Sequence, residues 1–252
     1  MENASHSHME PQIPYDLIEL PSKGIFYKNK KKALKVSYLT AVDENILTSP
    51  GLINSGEVMD TLLRSKILDK DIDPTELAEC DKQAVFIFLR NAAFGTSYEF
   101  TLTDPSTGKE FKHPIDLSVV KTKELDIKPD DKGEFSLQLF VSKKTVKLRL
   151  LTPTDEKTLQ DMEKSYGEMK IKPTVTKRLE MCLMEIDGDR DKMNIAREIQ
   201  MLPIKDSQLI RSFLKDAEPG LELNRVATAP SGAEVKFTIS FGLSFFRPFF
   251  GI

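Results

Sequence analysis

The sequence predicts an α+β fold in which antiparallel β-hairpins flank a helical block. Apolar and polar residues alternate on both sides of residues 152–216, as in half-buried strands. Within residues 152–216 the apolar residues recur at helical spacing instead. Runs of strands that are separate from runs of helices favour an α+β fold over a wound parallel sheet. The composition, 40% apolar and 30% charged, is that of a globular protein.

We expect four segments along the 252-residue chain. A polar stretch precedes the first strand pattern, and a Phe-rich stretch follows the last hairpin pattern. The segments are a flexible N-terminal tail at 1–14, a mixed β/α N-terminal domain at 15–151 with a hairpin at 98–115, a helical block at 152–216, and a C-terminal hairpin with a Phe-rich tail at 217–252.

The N-terminal domain opens with strand-like residues 15–20, which lead into a turn. Pro21 and Gly24 are the structural turn residues, because proline presets φ and glycine tolerates a positive φ. The elements expected next are a short strand at 35–38 and short helices at 40–47 and 57–68.

A longer helix is expected to begin at Asp73. Asp73 is a capping residue, Pro74 suits the first helical position, and Glu76 completes a capping-box-like pattern. Gly95 fits the left-handed residue that ends such a helix. The apolar residues at helical spacing between them are Leu77, Cys80, Ala84, Phe88 and Ala92.

The second half of the chain combines one more hairpin with the helical block. Strand patterns at 135–139 and 146–150 predict the hairpin. Thr152 and the two residues after it form a helix start. The apolar stripes that follow lie at 175–186, 195–202 and 209–214.

Two hairpin segments, 98–111 and 223–235, resemble each other in sequence. Each has a strand, a turn with Pro-Ser and Gly, a glutamate and an apolar return strand. The pattern predicts two similar β-units on either side of the helical block. The alternative is that Pro-Ser-Gly turns are common in any hairpin. The structural turn residues are Pro105, Gly108, Pro230 and Gly232.

No pattern for catalysis or cofactor binding is found. There is no P-loop, dinucleotide fingerprint or His-Glu-X-X-His motif, and His113 is expected to be an edge-strand residue. The acids of segment 187–198 have the spacing of a calcium loop, but Lys192 stands where glycine is needed. We expect these acids to cap the next helix, with a metal-binding module as the less favoured alternative. No catalytic residue, metal ligand or cofactor is assigned.

The charge balance argues against nucleic-acid binding, because the net charge is −3. The basic run at 28–35 is expected to be a solvated turn, with a contact to an acidic partner or a peripheral nucleic-acid adaptor as the minority alternatives. Cys80 and Cys182 form neither a disulfide framework nor a zinc site and are expected to be buried free thiols. No secretion signal and no membrane-spanning stretch is found, so stable membrane insertion is not expected.

The last sixteen residues are rich in phenylalanine and must bury a large apolar area. One alternative is docking onto the core of the same chain, and the other is insertion into a partner subunit. The candidate partner-binding residues are Phe241, Phe245, Phe246, Phe249, Phe250 and Ile252.

Residues 15–27 (YDLIELPSKGIFY) resemble the N-terminal signature of the T-even-type bacteriophage baseplate protein family, which reads leucine-proline-serine-X-glycine-X-X-tyrosine. Residues 36–44 (VSYLTAVDE) are similar to the family's leucine-threonine-alanine-X-aspartate-glutamate stretch. The matches cover residues 15–151, with a weaker echo at the C-terminal hairpin. The other matching positions are Asp81, Leu89-Arg90, the corner at 94–98 and the hairpin end at 115–117.

The resemblance implies a structural or assembly protein of the tail baseplate or its hub in contractile-tailed phages. Its partners would be other baseplate, hub or tape-measure proteins, and self-association is left open. The alternative is a transient chaperone for the hub or tape-measure protein that is absent from the mature virion. The expected location is the virion tail baseplate, and the host cytoplasm during assembly.

Several members of that family carry a Cys-Pro-X-Cys-Gly knuckle in the first hairpin. The corresponding turn here is 104–108 (DPSTG), which lacks both thiolates. A tetrahedral zinc site cannot form there without its ligands. The resemblance therefore implies a zinc-ribbon-like hairpin that folds without metal.

Overall fold

The computed structural model describes residues 13–125 and 127–246. The strands are β1 (Tyr15–Glu19), β2 (Ala33–Ser37), β3 (Ser97–Thr103), β4 (Glu110–Asp116), β5 (Glu134–Gln138), β6 (Thr145–Arg149), β7 (Leu183–Ile186), β8 (Asn224–Thr228) and β9 (Glu234–Thr238). The α-helices are α1 (Ala41–Thr48), α2 (Pro50–Ser55), α3 (Val58–Lys66), α4 (Glu79–Phe94), α5 (Pro153–Ser165), α6 (Thr174–Cys182), α7 (Lys192–Gln200) and α8 (Ile204–Ala217).

The strands form small antiparallel sheets, which confirms the predicted α+β class. Three sheets are two-stranded hairpins, β1-β2, β3-β4 and β8-β9, and the fourth has the order β5-β6-β7. The alternation of apolar residues located these hairpins correctly, because only one face of each is buried. Within the described residues, no helix is long and apolar enough to cross a bilayer.

Most of the buried apolar side chains that the structure describes belong to two clusters. The first core joins the N-terminal elements, from Leu20 to Leu117, to three residues near the C-terminus, Ile239, Phe245 and Phe246. The second core lies between the β5-β6-β7 sheet and helices α6, α7 and α8. In chain order, most of the first core comes first, the second core follows, and the last residues of the first core come after it.

The chain crosses between the two cores through a paired neck, formed by residues 121–123 and 220–222. Thr122 and Leu221 form an antiparallel bridge. The N–H of Lys123 donates to the Gly220 carbonyl at 2.8 Å, and the N–H of Glu222 donates to the Lys121 carbonyl at 2.8 Å. The Lys123 ammonium also donates to carbonyls at the end of α8, including that of Asp216 at 2.8 Å. A cation suits this position because the helix C-terminus is partially negative.

The predicted helix start at Asp73 is wrong by six residues. Asp73 does cap a turn, since its carboxylate accepts from the Thr75 N–H at 2.9 Å, but that turn is a short 3-10 helix. Leu77 and Ala78 then adopt extended backbone before α4 begins at Glu79. The interruption buries Leu77 and frees the Ala78 N–H for a tertiary hydrogen bond.

Two other predicted boundaries are also corrected. The apolar stripe at 175–186 is not one helix, because α6 ends at Cys182 and the next four residues form β7 beside β6. A short apolar run fits a strand and a helix turn equally well, so periodicity cannot separate them. The sequence patterns predicted no element between the helices at 40–47 and 57–68, but Pro50 occupies the first turn of α2 behind the cap residue Ser49.

A buried carboxylate joins the first turn of the protein to α4. Asp81 is 0% exposed. It accepts hydrogen bonds from the Ser22 N–H at 2.9 Å, the Ser22 hydroxyl at 2.5 Å and the Tyr27 hydroxyl at 2.5 Å. Tyr27 in turn accepts from the Ala78 N–H at 2.9 Å. Burial, followed by the charge of Asp81, raises the pKa of Tyr27 far above its usual range, which keeps this hydroxyl a donor.

Gly24 completes the same turn for a steric reason. Its φ is +79°, and a Cβ at this position would lie 2.6 Å from the Lys31 carbonyl oxygen. The backbone of residues 30 and 31 therefore passes directly over the glycine. The serine, glycine and tyrosine of the sequence motif thus form one packed unit with Asp81.

Replacement of Asp81 tests this unit. Asp81→Ala leaves two hydroxyls and a backbone N–H without their acceptor, so we expect a loss of about 3–5 kcal/mol in the free energy of unfolding. Asp81→Asn should cost less, because the amide keeps one acceptor oxygen. Urea denaturation measures both. Asp161→Asn on exposed α5 is the control, and a loss there equal to that of Asp81→Ala would contradict the role of Asp81.

The glycine is tested by a matched pair of substitutions. Gly24→Ala and Gly56→Ala both place a side chain at a similar positive φ, but a Cβ at Gly56 meets nothing within 4 Å. We expect Gly24→Ala to destabilise the fold by about 1–3 kcal/mol more than Gly56→Ala, which is the cost of the added overlap. Equal losses of unfolding free energy in denaturant titrations would mean that the backbone next to Gly24 shifts without cost to make room for the Cβ.

Candidate interaction site

The two similar hairpins pack against each other. The rings of Phe100 in β3 and Phe237 in β9 have centroids 5.2 Å apart. His113 in β4 stacks edge-on against the same Phe237, at 5.9 Å. Aromatic pairs at these distances stabilise packing beyond their buried area. His113, the only histidine outside the N-terminal tail, thus has a packing role.

The turns of the two hairpins have corresponding backbone hydrogen bonds, although the first turn is one residue longer. In the first, the N–H of Asp104 donates to the Lys109 carbonyl and that of Gly108 to the Asp104 carbonyl. In the second, the N–H of Ala229 donates to the Ala233 carbonyl and that of Gly232 to the Ala229 carbonyl. Gly108 and Gly232 have φ of +68° and +86°. The sequence similarity therefore corresponds to a structural repeat.

A polar contact joins the two turns. Asp104 is only 2% exposed, and its carboxylate accepts from the Ser231 hydroxyl at 2.8 Å and the Ser231 N–H at 3.3 Å. It also accepts from the Ser106 N–H of its own turn at 2.9 Å. Burial acts to raise the pKa of Asp104, but the hydrogen bonds from Ser231 and Ser106 outweigh it and lower the pKa. The facing turns are thus held by an ionised carboxylate and its donors.

The aromatic C-terminus docks on the first core as far as the structure describes it. Phe245 and Phe246 are 0% exposed. Phe245 contacts Tyr98 at a centroid distance of 5.1 Å, and Phe246 contacts Phe86 of α4 at 5.8 Å. A 3-10 turn over Leu243–Phe246 directs both rings inward.

Arg90 of α4 extends this aromatic cluster. Its guanidinium carbon lies 4.8 Å from the Tyr98 ring centroid and 5.5 Å from that of Phe245. It also donates to the Gly95 carbonyl at 2.6 Å and the Ser97 carbonyl at 3.0 Å. Burial lowers the pKa of Arg90, which the neighbouring Tyr98 partly offsets. Arg90 therefore contacts the end of α4, the start of β3 and the C-terminal turn.

The burial of Phe245 and Phe246 separates these two residues from the other partner-binding candidates. Phe245 and Phe246 are unavailable to a partner while the first core is closed, which is the self-docking alternative for these two residues. Phe241 is half-buried and contacts Phe245 at 5.0 Å. Phe249, Phe250 and Ile252 lie outside the described residues, so their use as contacts stays a prediction.

The acidic loop before α7 is engaged internally. Asp191 caps α7 by accepting from the N–H groups of Met193 and Asn194, as the sequence predicts. Glu198 pairs with the Lys144 ammonium at 2.5 Å. Across the described residues, no group of three or more His, Cys, Asp or Glu side chains is placed to hold a metal ion.

The two thiols are poorly suited to nucleophilic chemistry. Both cysteines are free and buried. Burial raises the pKa of Cys182 to about 11, and burial with the charge of Asp81 raises that of Cys80 further. The reactive species is the thiolate, which is scarce for both residues at neutral pH. Cys182 lines a cavity of about 260 Å³ between α6 and α8.

The basic run at 28–35 is partly neutralised. The Lys31 ammonium lies 2.5 Å from a carboxylate oxygen of Asp69 and 2.5 Å from one of Asp71. Lys35 lies over the Tyr15 ring, 5.4 Å from its centroid. Two of the cations expected in this turn therefore have intramolecular partners.

A family model described as T4 bacteriophage base plate protein matches residues 19–246. The match begins in β1 and ends at Phe246, so it includes both cores, the neck and the paired hairpins. No curated protein and no solved structure matches the chain significantly.

A double-mutant cycle tests the contact between the turns. We expect Ser231→Ala to destabilise the wild-type protein but to have little further effect in Asp104→Ala, because the two groups bond each other. Thermal unfolding measures this coupling. The coupling should be complete above the ordinary aspartate pKa and disappear as the pH falls through the lowered pKa of folded Asp104.

Asp116→Ala provides the control for this cycle. Asp116 accepts from Ser118 within its own strand end and does not join the hairpins. Its effect should simply add to that of Ser231→Ala. If the losses of stability caused by Asp104→Ala and Ser231→Ala were also additive, the two turns would not be coupled.

Proposed function

We propose that this chain, which belongs to the T4 bacteriophage base plate protein family, works at the baseplate hub as a structural or assembly protein. A baseplate protein is part of the phage tail and contacts other tail proteins. The match over residues 19–246 supports the baseplate part of this proposal, because it spans both cores rather than one motif. The hub is proposed because the resemblance of the N-terminal motifs points to it.

The site geometry supports a role in protein contacts. Both thiols have raised pKa values, the acidic loop is bonded internally, and His113 is packed against Phe237. These thiols, this loop and this histidine are thus buried or bonded within the fold. We therefore expect the exposed surface of the chain to make the contacts with partner proteins.

We assign the partner contact to Phe241 and to the candidates beyond Phe246. Phe245 and Phe246 are anchored in the first core, so they fix the point from which the last six residues start. Phe249, Phe250 and Ile252 add a large apolar area immediately after this anchor. Aromatic residues are enriched among the residues that dominate binding energy at protein interfaces.

The component role and the chaperone role predict different virion compositions. If the chain is a stable part of the hub, mass spectrometry of purified particles detects it in fixed proportion to the other baseplate proteins. If it is a transient chaperone, it is abundant in infected cells and missing from particles. Its absence from both tails and tail-assembly intermediates would reject both roles.

Truncation distinguishes the residues that anchor the C-terminus in the first core from those that we expect to bind a partner. Deletion of residues 247–252 keeps Phe245 and Phe246, so we expect an unchanged melting temperature and a loss of co-purifying tail proteins. Phe246→Ala should instead cost about 3–5 kcal/mol of stability by opening a cavity in the first core. Thermal unfolding and affinity purification from infected cells measure the two effects. Full partner recovery by the truncated chain would place the contact elsewhere.

A further inference from the structure

The second core ends in an apolar surface far from the neck. This surface, the distal tip, consists of the β5-β6 turn at 139–144 together with Met201 and Ile204. Ile204 is the first residue of α8, and the other end of that 14-residue helix is bonded to Lys123 of the neck. At 1.5 Å per residue, α8 separates the distal tip from the neck by about 21 Å.

The distal tip exposes four large apolar side chains. Phe140 is 68% exposed, Val141 51%, Met201 74% and Ile204 76%. Single exposed apolar residues are ordinary on any protein surface, but groups of them mark interaction sites. Leu139, directly before Phe140, is buried in the second core. The chain therefore turns outward at Phe140, although an apolar core lies directly beneath it.

The turn of the distal tip is held in place from two helices. Asp206, in the first turn of α8, is 0% exposed and accepts from the N–H groups of Val141 at 2.9 Å and Ser142 at 2.8 Å. Lys144, at the end of the turn, pairs with Glu198 of α7 at 2.5 Å. A surface that is ordered before binding loses less conformational freedom when a partner docks.

On the α8 side, the exposed charges next to these apolar side chains are cations. Lys143 and Lys205 are exposed, and neither belongs to an ion pair found among the described residues. The Lys144 charge is matched by Glu198, and Asp206 is buried under the turn. On the loop before α7, Asp187 and Asp189 are exposed carboxylates that each accept a backbone N–H bond. The apolar side chains thus have a basic border on the α8 side.

We propose that the distal tip docks onto an apolar face bordered by carboxylates on a neighbouring tail protein. This inference rests on the proposed function for the identity of that neighbour. Charge complementarity selects the partner, since an acidic border pairs with Lys143 and Lys205. A second copy of this chain is the alternative occupant, and crosslinking distinguishes it from another tail protein.

Photo-crosslinking of the full chain in infected cells tests the docking. Benzoylphenylalanine replaces Phe140 in one variant and Ile171, an 84% exposed residue between α5 and α6, in a control variant. We expect the probe at Phe140 to crosslink to one other tail protein, at an apolar segment flanked by Asp or Glu. Adding K143E and K205E should lower the crosslink yield about tenfold, because both border charges are reversed.

Several outcomes would overturn the docking proposal. They are a crosslink to a second copy of this chain, a target segment without carboxylates, a yield that the charge reversal leaves unchanged, and a yield no higher than at Ile171. None of these alters whether the wild-type chain enters tails or tail intermediates. Mass spectrometry of those assemblies therefore reports on the proposed function separately.

Discussion

The fold depends on a carboxylate that is completely buried at the start of α4. Asp81 is stable there only because the turn at 21–27 brings it two hydroxyls and a backbone N–H. An ionised group without such donors would cost several kcal/mol in this environment. The turn and the helix must therefore form together, and their union places Leu20 and Tyr27 in the first core. The β1-β2 hairpin and α4 receive their relative positions from this contact.

The same principle recurs wherever separate parts of the chain meet. Asp104 joins two turns that are 127 residues apart, and Asp206 joins the β5-β6 turn to α8. Each is a buried or nearly buried carboxylate whose oxygen atoms accept hydrogen bonds from N–H or O–H groups of a distant segment. Small two-stranded sheets have little area to bury, so apolar packing alone specifies their mutual orientation weakly. Directional hydrogen bonds supply the missing specificity.

Local patterns were sufficient to predict the hairpins, the repeat and the turn glycines. Alternation and turn residues located β3-β4, β5-β6 and β8-β9, because these depend on neighbours in sequence. The strand β7 was missed, since its partner β6 lies more than thirty residues away. The burial of Phe245 and Phe246 could not be predicted either, because composition shows only that such residues need burial. The contact between Asp104 and Ser231 required the packed hairpins, which no spacing in the sequence indicates.

The order of the chain also limits when the first core can close. Its N-terminal part is complete by Leu117, but Ile239, Phe245 and Phe246 come only after all residues of the second core. The second core draws only on residues from 137 to 214, so all of it emerges earlier. Long-range contacts of the first kind form late, because they close the longest loop. If the residues after Phe246 bind a partner, closure of the first core fixes the point from which they start, because Phe245 and Phe246 are their anchor.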